Sequence, residues 1–264
     1  MAAKNRRDLI EQRVLNIGEV EFSSLATEFD VSEMTIRRDI ETLESRGVVR
    51  RVFGGAIALV GKSSEPSFES RASEGAAVKI HLAVAAAELL RPNETVILDS
   101  GSTVLAVARA IKNRGLALTV VTPSILVAVE LASEPDTTVL LTGGRVRPGE
   151  LSLIGAETEE AFARYNCDTY VMGVAGVDIA KGVTDYHRDE GSVKRAAAAS
   201  ADRVIVVADR SKIGRVQLMN IAPLRAIYAL VTDADPDDPA LIAARAAGVL
   251  VVCVPIPPMQ QSAA

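Results

Sequence analysis

From about residue 75 onward, short apolar runs alternate with longer stretches of helical periodicity, and this restricts the possible folds more than any other feature. The runs are Thr95–Leu98, Leu118–Val121, Thr138–Leu141, Thr169–Val174, Val204–Val207, Ile227–Val231 and Val249–Val254. Helical stretches lie between most of them at Thr103–Ile111, Ile125–Ala132, Glu157–Tyr165, Ser192–Ala201 and Pro239–Ala247, with Ala76–Leu90 before the first. Strands that are apolar on both faces must be covered on both, and parallel neighbours need a crossover, usually a helix. The expected fold class here is α/β, a mostly parallel sheet between layers of helices. Aromatics are only 3% of 264 residues while 48% are hydrophobic, so the core must be built from Ala, Val, Leu and Ile.

The N-terminal part has a different grammar. Val31–Gly47 reads as one punctuated helix: Ser32 can cap its start, and Gly47 can supply the left-handed residue past its end. Ile36, Ile40 and Leu43 form an apolar stripe at helical spacing. Met34, Arg38, Glu41 and Ser45 lie opposite, with Arg37 at the margin. A first helix is expected over Asn5–Ile17 and a second over Ser23–Phe29, with Asp30-Val31 as the tight turn of a helix-turn-helix. Val48–Ala56 then reads as a two-stranded wing whose Arg50 and Arg51 could reach phosphates. This is the plan of a helix that enters the major groove of DNA. A solvated face is the alternative, with the arginines paired to Glu33, Asp39, Glu41 and Glu44.

Charge does not decide between them. Residues 1–62 carry 10 basic and 10 acidic residues, so the net −5 of the chain resides in the remainder. DNA binding would rest on a local patch of Arg37, Arg38, Arg46, Arg50 and Arg51 rather than on a basic domain. The wider pattern weighs more. SSLATEFDVS, TIRRDIETLESRG and RRVFGGA, at their spacing over Arg7–Ala56, resemble the winged helix-turn-helix of the DeoR family of bacterial transcriptional repressors. The resemblance implies operator DNA as partner, with Ser32, Met34, Thr35, Arg37, Arg38, Arg50 and Arg51 as contacts. Winged-helix readers work on repeated half-sites, so a homo-oligomer, dimer or tetramer, is expected.

Leu59–Ser73, with Gly61-Lys62-Ser63-Ser64-Glu65-Pro66-Ser67 inside it, is too polar and proline-rich to pack as a core element. The expected domains are a winged helix-turn-helix over 1–58, a linker over 59–74 and a ligand-sensing domain over 75–264. No apolar run is long enough to span a bilayer, and the N-terminus lacks the apolar core of a signal peptide. Cys167 and Cys253 have no metal-ligand spacing and read as small buried hydrophobes. A cytoplasmic protein with no membrane partner, metal or cofactor is expected.

Ligands of parallel sheets bind outside the carboxyl ends of the strands. There the sequence places Asp99-Ser100-Gly101-Ser102-Thr103, then Thr122-Pro123-Ser124, then Thr142-Gly143-Gly144-Arg145, then Ala208-Asp209-Arg210-Ser211-Lys212. Free N–H groups at a helix start, with a close-approaching glycine and two hydroxyls, make an anion cradle. Each group alone could be only a cap, a turn or a solvated lysine. Together they favour a small anionic ligand.

The resemblance extends through these motifs, with GVAGVD, GVTD and the Glu190–Lys194 helix start, over nearly the whole chain. DeoR-family sensor domains are similar to ribose-5-phosphate isomerase and commonly sense a phosphorylated sugar. By motif, Ser100, Gly101, Ser102 and Thr103 would bind phosphate, and Asp99, Asp178, Asp185, Glu190 and Lys212 would face the sugar or the phosphate. Ser124, Gly143 and Gly144 join them as ligand-binding candidates. Val104 and Pro123 depart from the family pattern, which commonly has Thr and Asn there, and leave the ligand's identity open. An aldose–ketose isomerase with an accessory helical domain is the competing reading. Isomerases of this fold have an acid-rich run after the strand, where this chain has Val174-Ala175-Gly176. Neither alanine nor glycine can abstract a proton, so binding without turnover is expected. A Rossmann dinucleotide enzyme finds no Gly-x-Gly-x-x-Gly at the first strand-to-helix turn. Of the two histidines, His81 reads as structural and His187 as a weaker pocket candidate than Asp99 or Asp185.

Overall fold

The computed structural model describes residues 3–45, 48–58 and 65–255. Arg46 and Gly47, expected in the basic patch and as a helix cap, lie outside the described residues, as do residues 59–64 of the expected linker. The chain divides into two compact units, Met1–Ser64 and Glu65–Ala264.

The first unit contains α1 (Ala3–Ile17), β1 (Glu19–Glu21), α2 (Phe22–Phe29), α3 (Glu33–Ser45), β2 (Val49–Val52) and β3 (Gly55–Ala58). Asp30 takes a left-handed φ of 50° after α2, so the chain turns without glycine. The Ser32 hydroxyl accepts the Thr35 N–H at 3.3 Å and starts α3. Ile36, Ile40 and Leu43 are buried with Ile10, Val14, Phe22 and Leu25. Truncating such a side chain to alanine typically costs about 2–5 kcal/mol. Asp39, on the same helix, is not on the surface. It is buried and accepts from Arg6 Nε at 2.6 Å, locking α1 to α3. The wing has a third strand that the sequence reading lacked, because three residues show no period: β1 pairs with β3 in the order β1-β3-β2. Gly55 permits this, since a side-chain carbon there would lie 2.1 Å from the Val20 carbonyl oxygen.

The second unit opens with α4 (Phe68–Ser73) and α5 (Ala76–Ala87). Then come β4 (Thr95–Leu98), α6 (Ser102–Ile111), β5 (Thr119–Thr122), α7 (Ile125–Leu131) and β6 (Thr138–Leu141). A hairpin, β7 (Arg145–Arg147) and β8 (Ser152–Ile154), leads to α8 (Ala156–Phe162) and β9 (Cys167–Gly173). The chain continues through β10 (Gly176–Asp178), β11 (Gly182–Asp185), α9 (Arg188–Ala199), β12 (Ala201–Val207), β13 (Met219–Ala222), β14 (Ala229–Thr232), α10 (Pro239–Ala246) and β15 (Leu250–Cys253). All seven expected strands join one sheet, ordered β15-β14-β12-β9-β4-β5-β6, and every pairing in it is parallel. Alternate side chains serve opposite faces. Ile97, Tyr170, Met172 and Val206 pack with Phe162, Val193 and Leu241 of α8, α9 and α10. Val96, Leu98, Val171 and Val207 pack with Leu82, Val107 and Val127 of α5, α6 and α7. Each side chain so buried is worth roughly 1.5–3 kcal/mol of transfer free energy.

Three local expectations need correction. The stretch read as linker contains α4, because the Ser67 hydroxyl accepts the Ser70 N–H at 3.2 Å and Phe68 packs against the helix-side core. Helix α9 starts at Arg188 rather than Ser192, with Asp189 and Glu190 in its first turn, where acids suit the helix dipole. Ile227 precedes β14 instead of beginning it, since a 3₁₀ turn occupies Leu224–Ala226.

Candidate functional site

In the first unit, α3 presents Met34, Arg37, Arg38, Glu41 and Ser45 to solvent, with Met34 61% exposed. Arg37 lies 4.6 Å above the Phe22 ring and 3.6 Å from Glu33, so its guanidinium is oriented before any partner arrives. Ser32 and Thr35 are tied to each other, hydroxyl to hydroxyl at 3.0 Å, at the helix start. The wing arginines part company. Arg51 is held by Glu44 at 2.6 Å and Glu41 at 2.7 Å, which fastens the wing to α3 and occupies the charge expected to reach phosphate. Arg50 is exposed, and among the described residues neither it nor Arg38 is paired with an acid. Among the described residues the exposed arginines of α3 and the wing without an acid partner are therefore Arg38 and Arg50.

In the second unit, β4 and β9 are neighbours at the centre of the sheet, and the chain proceeds outward from them in opposite directions. Such a switch point opens a crevice at the carboxyl ends of the strands. A cavity of about 220 Å³ lies there. One wall is Ser100-Gly101-Ser102-Thr103, where Gly101 has a φ of 97° and α6 begins with its first N–H groups free of helical partners. Lys79, Arg210 and Lys212 line the same cavity, as does Arg71. Lys79 donates to the Glu74 carbonyl at 2.9 Å and to that of Arg71. Burial, together with nearby Lys212 and Arg71, lowers its pKa to about 8 against the pull of Asp209 and Glu74.

Acids line the cavity too. Asp185 and Glu190 are among them, and Asp99 lies beneath, 1% exposed. Lys194 of α9 reaches into this group: its ammonium contacts Asp99 and the Gly173 carbonyl at 2.9 Å, and Asp185 at 3.4 Å. Burial works against that charge, but Asp99, Asp185 and Glu190 outweigh it and leave the lysine pKa raised. Glu190 accepts from the Ser152 hydroxyl at 2.6 Å and Arg147 at 2.8 Å. Burial raises its pKa, but Lys194, Ser152 and Arg147 together prevail and leave it lowered.

Of the expected ligand residues, Ser100, Gly101, Ser102, Thr103, Asp185, Glu190 and Lys212 come together in the cavity wall. Asp99 sits under it. Four others are placed elsewhere, each with a backbone task. Ser124 is buried and caps α7 through the Val127 N–H. Gly143 and Gly144 turn the chain between β6 and β7, with the Gly143 carbonyl accepting from Thr158. Asp178 accepts the N–H groups of Ala180 at 2.9 Å and Lys181 at 2.8 Å in the β10–β11 hairpin. The sequence reading missed Glu65, Arg71, Lys79 and Glu150, and did not give Lys194 a role of its own. Two had a local signal: Lys79 stands in a largely apolar helical stretch, and Lys194 falls one helical turn after Glu190. Among the described residues no cluster of acids, histidines or cysteines could hold a metal, and no helix is long and apolar enough to cross a membrane.

Residues 6–60 match the family model described as the DeoR-like helix-turn-helix domain, and residues 74–234 the one described as the DeoR C terminal sensor domain. A protein of Escherichia coli O157:H7, provisionally named an aga operon transcriptional repressor, is 34% identical over 251 residues, covering 94% of this chain and 93% of that protein. The HTH-type transcriptional regulator GlpR of Haloferax volcanii is 34% identical, covering 87% and 89%. The glycerol-3-phosphate regulon repressor of Escherichia coli K12 is 30% identical, covering 89% and 93%. Among solved structures, ribose 5-phosphate isomerase A from Methanocaldococcus jannaschii aligns over 53% of this chain and 55% of its own, at 14% identity and a TM-score of 0.40, too distant to bear on function.

Proposed function

The chain belongs to the DeoR family of DNA-binding transcriptional regulators, and we propose that it represses a carbohydrate-catabolism operon and leaves its operator when a small phosphorylated sugar or polyol fills the cavity of the second unit. The observation that carries this reading is the mixed lining of that cavity. It offers free helix N–H groups, hydroxyls, Lys79 and Lys212, which suit a phosphate. It also offers Asp185 and Glu190, which suit the hydroxyls of a polyol. At about 220 Å³ the cavity is below the roughly 300–1,000 Å³ typical of drug-sized ligands. The name of the Escherichia coli K12 relative makes glycerol 3-phosphate the first compound to try.

The reader is α3, with Arg37 and Arg38 aimed at base edges and Arg50 at a backbone phosphate, in a cytoplasmic homodimer or tetramer on repeated half-sites. Residues 1–58 act as reading head and 75–264 as sensor. A ligand shifts DNA affinity only through its differential affinity for two states, typically worth about 1–3 kcal/mol. The domain binds without turnover. Ala175 stands at the cavity wall where an isomerase needs an acid, and Arg147 and Ser152 favour the anion of Glu190, which makes it a weak base. Fluorescence anisotropy of labelled DNA from upstream of the protein's own operon, titrated with and without a panel of sugar and polyol phosphates, is the test. At least one compound should lower operator affinity. Tight binding that no phosphorylated compound alters sinks the sensor reading and leaves the DNA-binding one standing.

A further inference from the structure

Arg71 lines the cavity of the anion cradle and is not yet assigned a task. Its contacts run through two of its three nitrogens. Nη2 meets Glu65 at 3.0 Å and also Glu150, and Nε donates to the Pro66 carbonyl at 3.1 Å. Nη1 is the atom that faces the cradle: a side-chain carbon added at Gly101 would lie 3.7 Å from it. Glu65 is shared in turn with Arg147, at 2.8 Å, and Arg147 holds Glu190. Two guanidinium groups thus answer to three buried carboxylates, Glu65, Glu150 and Glu190, and the cluster carries one surplus negative charge.

We propose that Arg71 is an effector ligand held in reserve: a phosphate seated on Ser102 and Thr103 draws its guanidinium across and takes it from Glu65. The proposal rests on the cavity being the effector site. Its physical basis is competition. An oxyanion at Nη1 and a carboxylate at Nη2 share one positive charge, and each weakens the hold of the other. Glu65 is the partner that yields. Burial, reinforced by Glu190 and Glu150, already raises its pKa to about 7 despite Arg71 and Arg147, so it can become neutral at small cost. Tyr186, Asp185, Lys194 and Glu74 also line this cavity, but none of them is an ion-pair partner of Glu65. Glu65 is also the first residue of the second unit. Its release removes two ionic anchors from the start of that unit.

The test uses the full-length chain and its Arg71→Ala, Arg71→Lys and Glu65→Gln variants, with calorimetric titration of inorganic phosphate and of glycerol 3-phosphate, circular dichroism to check folding, and operator release by anisotropy. Arg71→Ala weakens binding by roughly tenfold or more, and Arg71→Lys by less, as expected for a lost charge-assisted contact. Glu65→Gln moves the other way. It tightens binding by roughly threefold or more, because the competitor for Arg71 is gone, and it releases operator at correspondingly lower ligand concentration. Wild-type binding should also take up more protons near pH 7 than binding to Glu65→Gln does, seen as a difference in buffer-dependent heat for the same ligand. If Glu65→Gln and Arg71→Ala weaken phosphate binding alike, the cluster is a structural clasp and the proposal is overturned while the effector site stands. Should neither of these nor any compound of the sugar and polyol phosphate panel bind the wild type, both readings fall. Glu65→Gln rests on the neutral form already close to hand, so it remains decisive even if Arg71→Ala fails to fold.

Discussion

Lys194→Met is the perturbation whose consequence follows most directly from the geometry. The side chain is 4% exposed, and its ammonium is shared by Asp99, Asp185 and the Gly173 carbonyl. Methionine fills nearly the same volume, so the change removes charge and little packing. At the 3.4 Å separation from Asp185, one unit-charge pair is worth about 5 kcal/mol at an effective dielectric of 20. Desolvation of the lysine offsets part of that. Removing one partner of a buried pair typically costs about 3–5 kcal/mol, because the other charge stays behind uncompensated. For a unit of this size that lowers Tm by roughly 6–20 °C. Urea unfolding followed by far-ultraviolet circular dichroism measures it, since the chain has no tryptophan. The second arm is Asp99→Asn/Lys194→Met, in which the amide oxygen can still accept the Gly173 N–H now bound by Asp99 at 3.1 Å. This double variant should recover at least half of the loss, with Asp185 accounting for the rest. A single variant within about 1 kcal/mol of wild type, or a double variant whose losses simply add, would refute the reasoning.

Arg38→Ala is expected to cost roughly 1–3 kcal/mol of specific operator binding and to relax sequence preference, whereas Arg50→Ala should weaken all sequences about equally; competition gel shifts separate the two. Lys212→Ala should bind sugar phosphates more weakly and stay on the operator at effector concentrations that release the wild type, and a wild-type response would place Lys212 outside the cradle. Stability should fall as pH rises from about 5 to about 8, because Glu65, raised to about 7 by burial, binds its proton more tightly folded than unfolded; that contribution is complete below the unfolded value of 4.5 and lost through the folded one, so Glu65→Gln should flatten the profile. Pentose and hexose phosphates should not interconvert above background in the presence of the protein, and turnover that vanishes in Glu190→Gln would restore the isomerase reading.

What the sequence by itself determined was everything carried by short-range signals. The period of Ile36, Ile40 and Leu43, with Ser32 before it, set a capped helix with a buried stripe. The alternation of apolar runs with helical stretches set seven strands and a mostly parallel sheet, which the structure makes parallel in every pairing. The turn Asp99–Thr103 marked a strand-to-helix junction, and Ser100 to Thr103 of that turn line the cavity. Tertiary structure alone decided which charges meet. Asp39 and Arg51 looked like surface residues of a basic face and prove to be tied to Arg6 and to Glu41 and Glu44. Asp178 carried a family motif yet spends its carboxylate on its own hairpin. The strands β7, β10 and β11, three or four residues each, were too short to show a period, yet β7 and β11 deliver Arg147 and Asp185. Beside the short-range pairs Glu65–Arg71 and Asp185–Lys194, the cavity has ion pairs 43 and 95 positions apart, Arg147 to Glu190 and Asp99 to Lys194. No local pattern encodes such a pairing. Periodicity reports which face of an element is buried, whereas the sign and partner of a buried charge depend on what the rest of the chain brings against it.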